Sequence, residues 1–210
     1  KEYMIGSCKH SDIACFSFHP LKAITSGEGG AITTNNNAIF NKGVLFRSHN
    51  IKKKNFWNYD IENLGFNYRL SDINCALGIS QLKKINLFLK KRNIIRKFYI
   101  YKFKIFNKKI KVIDFEDSNF NSNHLLIIQL NSKKIKEEVI KFFIKNKVFL
   151  QQHYIPIYKF KFFKNSQKNK FFGSDYYFNR SVSIPIHQNL NKRDLNKVLS
   201  LFKKYFKIKK

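Results

Sequence analysis

The chain has 210 residues and a net charge of +28, from 41 Lys and Arg against 13 Asp and Glu. Its 43% hydrophobic content can build a packed core, which excludes a largely disordered chain and fits one full domain, or one large and one partial domain. A charge this high points to nucleic acid or an anionic membrane, yet only Arg47, Arg69, Arg92, Arg96, Arg180 and Arg193 are arginines, and base-reading surfaces lean on arginine forks. The excess is lysine, which travels with Asn, Ile, Phe and Tyr. All have A/T-rich codons, so a biased genome gives this composition without a selected partner.

In chain order, residues 12–18 and the β-rich run 30–34 are predicted to be two short strands joined by a glycine-punctuated connection. Residues 36–48 read as an amphipathic helix with a polar start, and 49–63 as a polar, aromatic-spotted loop. Ser71-Asp72 is a capping start for a long helix to about Lys104, with Ile73, Leu77, Ile79, Leu82, Ile85 and Phe88 mostly at three- to four-residue spacing. That helix is expected to bridge two domains, 1–85 and 86–210. Beyond it the sequence predicts a strand at 124–130, a helix at 132–146, a strand at 148–155, a lysine- and aromatic-rich loop at 158–175, a strand at 181–186 and a helix at 191–207. Such an order suggests a small α/β sandwich.

Cys8, Cys15 and Cys75 are scattered, with no paired spacing and no metal-like His/Cys pattern. No metal site is expected, and the odd count fits a cytoplasmic protein better than a secreted one. No apolar run approaches the roughly 20 residues of a membrane span, and no signal peptide is visible; a membrane partner is not expected. The chain begins at Lys1 without an initiator Met, which raises the expectation of a fragment or a truncated reading frame.

The chemistry-bearing segment is FSFHPLKAITSGEGGAITTN, residues 16–35. A hydroxyl (Ser17), an imidazole (His19) and an amine (Lys22) lie within six residues at a strand end, ahead of a glycine-rich turn that lets backbone approach a ligand closely. Ser17 could hydrogen-bond a phosphate. A semi-buried lysine with a lowered pKa is a nucleophile toward carbonyls. On spacing alone, a solvated lysine in a glycine turn fits this segment better.

The string as a whole resembles the active-site segment of the pyridoxal-phosphate sugar aminotransferases of the DegT/DnrJ/EryC1/StrS family. The family's order continues through LFRSHNI at 45–51, LGFNYRLSDINCALGISQLKK at 64–84, SNHLLIIQL at 122–130, QHYIPIYKF at 152–160 and VSIPIHQNL at 182–190. The resemblance implies an α/β fold, the C-terminal part of a fold-type I pyridoxal-phosphate-dependent transferase: the end of the large-domain sheet, a long linking helix, then a small α/β sandwich. It implies pyridoxal 5'-phosphate as cofactor, Lys22 as the lysine that carries it, and Ser17 as the hydroxyl on its phosphate. Asn67 is similar to an asparagine that reaches across a homodimer interface to the other subunit's cofactor phosphate. Gln152, His153, Tyr154 and Ile155 match a stretch that contacts the nucleotide sugar, and His49 falls in a block near the active site. Asn50 departs from the family, which has glycine there; it asks an asparagine to adopt a turn conformation that this residue tolerates.

The implied partners are a UDP-linked keto sugar and an amino-acid donor, glutamate by family expectation. Once the donor displaces it, Lys22 would move a proton between the donor's α-carbon and the cofactor, acting as nucleophile and general base. Related enzymes aminate other nucleotide-linked 4-keto or 3-keto sugars, which stays an alternative, or act as dehydratases in which histidine replaces the lysine; a lysine at position 22 argues against the dehydratases. The family's carboxylate for the pyridine nitrogen, its stacking aromatic and its upstream phosphate turn match nothing in this chain. The sequence therefore reads as the C-terminal half of such an enzyme, expected to bind cofactor poorly alone.

A competing class is a nucleic-acid-binding protein, suggested by the cation- and aromatic-rich stretch 158–172 and expected to show steep salt dependence. A solvated aromatic loop near a substrate pocket explains that stretch equally well, and nucleic acid is not the expected partner. His10 and His187 read as surface or loop residues. Tyr176, Tyr177, Phe171 and Phe172 read as packing residues.

Overall fold

The computed structural model describes residues 3–113, 121–166 and 171–208. They form two compact units, Lys1–Ile85 and Asn86–Lys210.

In the first unit, β1 (Ala14–Ser17) and β2 (Gly30–Thr33) pair antiparallel, with Ser17 opposite Gly30 and Ala14 opposite Thr33. Gly30 is required there: a Cβ would sit 2.5 Å from the Phe16 carbonyl oxygen. Helix α1 (Asn37–Arg47) starts where the Asn36 side chain accepts the backbone N–H groups of Ala38 and Ile39, satisfying two of the donors that a helix start leaves unpaired. Residues 49–63 correct the expected loop. They hold a hairpin of β3 (Ile51–Lys53) and β4 (Tyr59–Ile61), with Lys52 opposite Asp60 and an ion pair between Lys52 and Glu62. Consecutive lysines hide these strands, because no apolar alternation marks a pair whose faces are both wet.

The expected single helix of Ser71–Lys104 is two, α2 (Asp72–Leu82), capped by Ser71, and α3 (Ile85–Phe103). At Lys83–Lys84 the bonding tightens, Lys84 N–H donating to the Gln81 carbonyl, and the ladder ends. No residue of α2 is buried, so its apolar spacing makes no packing demand that would carry it onward.

The second unit centres on a three-stranded antiparallel sheet in the order β5 (Ile110–Ile113), β6 (Leu126–Leu130), β7 (Ser181–Ile184). Leu126, Ile128 and Leu130 are buried in alternation along β6, while all of β7 is buried. Helices α3, α4 (Lys133–Lys145) and α6 (Lys192–Tyr205) complete the core through Tyr99, Phe103, Phe143 and Phe202. Phe202 is packed on three sides, its ring 4.4 Å from Phe143, 5.2 Å from Phe103 and 6.0 Å from Phe106. The contacts with Phe103 and Phe106 are edge-to-face and that with Phe143 is tilted, geometries that suit a core rich in phenylalanine.

Two expectations fail here. Residues 148–155 form no strand: Gln151 makes a single bridge to Ser183, the Gln152 side chain then turns to the Phe178 carbonyl, and only the His153 ring still meets the sheet, at Ser183 Oγ. The stretch 158–175 is not one loop. It contains 3-10 turns at Ile157–Lys159 and Lys161–Ser166 and the start of α5 (Phe172–Arg180), while 167–170 lie outside the described residues.

Candidate functional site

Lys22 stands in the connection between β1 and β2. The chain bends back after Ser17 through a set of local bonds: Lys22 N–H to the His19 carbonyl at 2.9 Å, His19 N–H to Ser17 Oγ at 3.3 Å, and Leu21 N–H to His19 Nδ1 at 3.2 Å. Phe18 closes the loop. Its N–H donates to the Gly29 carbonyl, and its carbonyl accepts both Ser26 N–H and Thr25 Oγ1. Ser17 and Lys22 thus lie on one turn whose backbone is fixed at both ends, Ser17 exposed and Lys22 partly buried.

The block 64–84 braces that turn. Asn74 Nδ2 donates to the Ser26 carbonyl, and Gly29, at φ 139°, lies so close to Leu70 that a Cβ would come within 2.7 Å of Leu70 Cδ1. Only glycine fits both the positive φ and the approach. Asn67, earlier in the same block, pairs with Ser48 in an isolated bridge, and His49 N–H donates to the Phe66 carbonyl at 2.9 Å. His49 and Asn50 both take left-handed backbone, φ 60° and 56°. Asn50 meets the demand with its side chain buried and donating to the Leu64 carbonyl at 3.2 Å. Gly65 packs on this pair, where a Cβ would lie 2.3 Å from Asn50 N.

Gln152, His153, Tyr154 and Ile155 belong to the second unit. Gln152 Nε2 donates to the Phe178 carbonyl at 2.8 Å, and His153 Nδ1 lies 2.8 Å from Ser183 Oγ. The His153 carbonyl accepts the Tyr177 hydroxyl at 3.1 Å. The first two residues are therefore tethered, whereas Tyr154 and Ile155 are exposed. Of the aromatics read as packing residues, Phe171 stacks on Tyr158 and Tyr176 lies under the Arg180 guanidinium; Phe172 is exposed.

Sequence reasoning passed over Lys136 in α4. It is 4% exposed, and its Nζ donates to the Phe178 carbonyl at 2.7 Å and to Gln152 Oε1 at 3.3 Å, with the Phe178 ring centroid 4.7 Å away. Burial pushes its ammonium below the ordinary lysine range; Lys133 and Lys159 add to this, and Glu137 opposes it. The signal was available in its position three residues before Val139 and seven before Phe143, on the apolar stripe of the helix. Arg92 of α3 is buried likewise, its Nη1 donating to the carbonyls of Ile186, Asn123 and His124, so it joins α3 to two loops. Among the described residues no group of three His, Cys, Asp or Glu could hold a metal ion, and no helix is long and apolar enough to cross a membrane.

The architecture is that of the C-terminal part of the pyridoxal-phosphate-dependent sugar aminotransferase fold. It superposes on Helicobacter pylori PseC, described as an aminotransferase involved in the biosynthesis of pseudoaminic acid, with a TM-score of 0.87 and 32% identity over 94% of this chain and 54% of that one. A Streptococcus pneumoniae protein, putative sugar aminotransferase Spr1654, shares the fold at a TM-score of 0.86 and 23% identity, covering 96% of this chain and 53% of its own. The model of the DegT/DnrJ/EryC1/StrS aminotransferase family matches residues 2–203, and the chain belongs to that family. A Campylobacter jejuni relative named UDP-4-amino-4,6-dideoxy-N-acetyl-beta-L-altrosamine transaminase is 40% identical over 206 residues, 96% of this chain and 54% of the relative. Its Helicobacter pylori namesake is 35% identical over 84% of this chain and 48% of its own length. The chain spans about half the length of the curated relatives it matches.

Proposed function

We propose that this chain is the lysine-bearing part of a pyridoxal-phosphate-dependent aminotransferase that aminates C4 of a UDP-linked 4-keto-6-deoxy-N-acetylhexosamine, with L-glutamate as donor, in surface-sugar biosynthesis of the pseudaminic acid type. The observation that carries the reading is the turn after β1, which fixes Lys22 five residues beyond Ser17 on a backbone bonded at both ends. The names and identities of the Campylobacter and Helicobacter relatives support the choice of sugar. In this reading residues 1–85 belong to the large cofactor-binding domain, and 86–210 form the small one.

The residues present fit the cofactor. Ser17 Oγ accepts one backbone N–H and keeps its own proton for a phosphate oxygen. Gly29 and Gly30 leave the backbone without side chains beside it. Lys22 supplies the amine that would hold the cofactor's carbonyl carbon. When bound, pyridoxal phosphate supplies an electron sink that acidifies the donor's α-proton.

Once freed by the donor's amine, Lys22 would be a primary amine tethered by a fixed turn, placed to take up the donor's α-proton as general base and to give it back. The bond from Lys22 N–H to the His19 carbonyl holds the lysine backbone and leaves its four-carbon stem to carry the amine. In the reverse half-reaction the same amine serves the keto sugar. Asn67 serves the partner subunit's cofactor phosphate in a homodimer. Gln152, His153, Tyr154 and Ile155 face the nucleotide sugar, with His49 near the reacting centre. Three unpaired cysteines support a cytoplasmic setting.

The test is spectroscopic. With an excess of pyridoxal phosphate, the chain is expected to gain only a weak visible absorbance of a lysine-bound cofactor, as befits half of such an enzyme, and Lys22→Ala is expected to lose it. Equal absorbance in Lys22→Ala would overturn the assignment.

A further inference from the structure

Buried lysines are rare, because an ammonium taken from water needs partners that replace its hydration. Lys136 is one, and its partners are informative. Its Nζ and Gln152 Nε2 converge on one acceptor, the Phe178 carbonyl, at 2.7 and 2.8 Å, while Nζ also donates to Gln152 Oε1 at 3.3 Å. The carboxamide is thereby held at both ends, oxygen toward the cation and nitrogen toward the carbonyl. Only one of its two flips satisfies that pair of contacts. Phe178 is clamped in turn, with the Lys136 and Lys159 ammoniums 4.7 and 4.9 Å from its ring centroid and Lys159 paired to Asp175 of the same helix.

Without Lys136, Gln152 would keep one bond and regain rotation about its terminal torsion. The same anchoring bears on the residue that follows, since the His153 carbonyl is held by Tyr177 of α5 and its ring by Ser183 of β7. A cation in the core of a helix costs stability relative to an apolar residue of the same size. Its two hydrogen bonds go to Gln152 Oε1 and to the Phe178 carbonyl that also accepts Gln152 Nε2, so both bear on the start of the Gln152–Ile155 segment.

We propose that Lys136 is a positioning residue for substrate recognition: from α4 it fixes the Gln152 carboxamide on the Phe178 carbonyl and so presets the segment that meets the nucleotide sugar. The proposal rests on the reading that Gln152–Ile155 contacts the sugar nucleotide, and its test separates the two.

Amide NMR of the 210-residue chain reads the positioning directly. The two Gln152 Nε2 protons are expected to be dispersed and slow to exchange, and to lose dispersion and exchange faster in Lys136→Met as the carboxamide regains rotation, while the backbone amides of Ile128, Val182 and Phe202 stay in place. Unmoved Gln152 signals, or a core that moves with them, would overturn the proposal. Lys136→Gln, polar and of similar length, replaces methionine with the same readouts where the methionine variant fails to fold. UDP binding then reads the consequence. Lys136→Met is expected to weaken UDP roughly tenfold, as for a charge-assisted hydrogen bond, and to have no further effect in a Gln152→Leu background. Equal weakening in both backgrounds means a merely structural lysine. If Gln152→Leu leaves UDP binding unchanged while Lys136→Met still releases the carboxamide, the substrate-contact reading fails and the positioning role stands.

Discussion

At the scale of single residues, chemistry that depends on chain neighbours was legible and chemistry that depends on folding was not. Ser17, His19 and Lys22 lie within six residues, and the structure places them on one hydrogen-bonded turn. The resemblance asks Asn50, where the family usually has glycine, to adopt a turn conformation, and its φ of 56° is left-handed. Lys136 escaped, because one more lysine in a chain carrying 41 Lys and Arg gives no contrast; only its place on the apolar stripe separates it from the wet ones. Tyr205 is a residue of the same hidden kind. Its hydroxyl donates to Glu138 Oε2 at 2.8 Å, and burial, with the carboxylate adding to it, pushes the phenol from 10.0 up to about 12. A group raised on folding stabilises the protein fully below its unfolded value, and that contribution disappears as pH rises through the folded one. The stability difference between the wild type and Tyr205→Phe, from urea unfolding, is therefore expected to be constant below pH 10 and to shrink toward pH 12. A difference that holds through that window would contradict the contact.

At the scale of elements, legibility followed periodicity and caps. Helices α4 and α6 carry both signals and begin and end within a residue or two of expectation. The hairpin β3–β4 and strand β5 carry neither, since lysines interrupt the alternation that a half-buried strand would show. The long-helix expectation erred for a different reason: apolar spacing persists across Lys83–Lys84, and spacing alone does not report where a hydrogen-bond ladder tightens and stops. The cap of α6 can be weighed directly. Asn191 Oδ1 accepts the N–H groups of Arg193 and Asp194, and Asp194 returns a carboxylate to the Asn191 N–H at 3.0 Å, a reciprocal capping box. Asn191→Ala is expected to cost about 1 kcal/mol of unfolding free energy, the usual value of a side-chain cap, because α6 supplies Leu195, Val198, Leu199, Leu201 and Phe202 to the core. Chemical denaturation checks it, and an unchanged midpoint would show that the helix start is held by packing alone.

At the scale of the whole molecule, the two units divide the labour unevenly. Among the described residues every buried hydrophobic side chain, from Ile95 to Phe202, lies in the second unit, while the first exposes Ile32, Phe40, Leu64 and Ile73 to more than half of their surface. Hydrophobic content alone could not foretell this, since it counts apolar residues and not what covers them. Most of the described lysines are exposed, Lys136 being buried; the candidate chemistry at the turn uses one amine and a few neutral hydrogen-bonding groups. That amine is the centre of the account. Pyridoxal phosphate added to the 210-residue chain, reduced with borohydride and mapped by peptide mass spectrometry, tests it against every other lysine in the chain. The phosphopyridoxyl group is predicted on Lys22 in preference to the rest, with the label at that peptide abolished by Lys22→Ala. A label spread over surface lysines with Lys22 unmodified would contradict it.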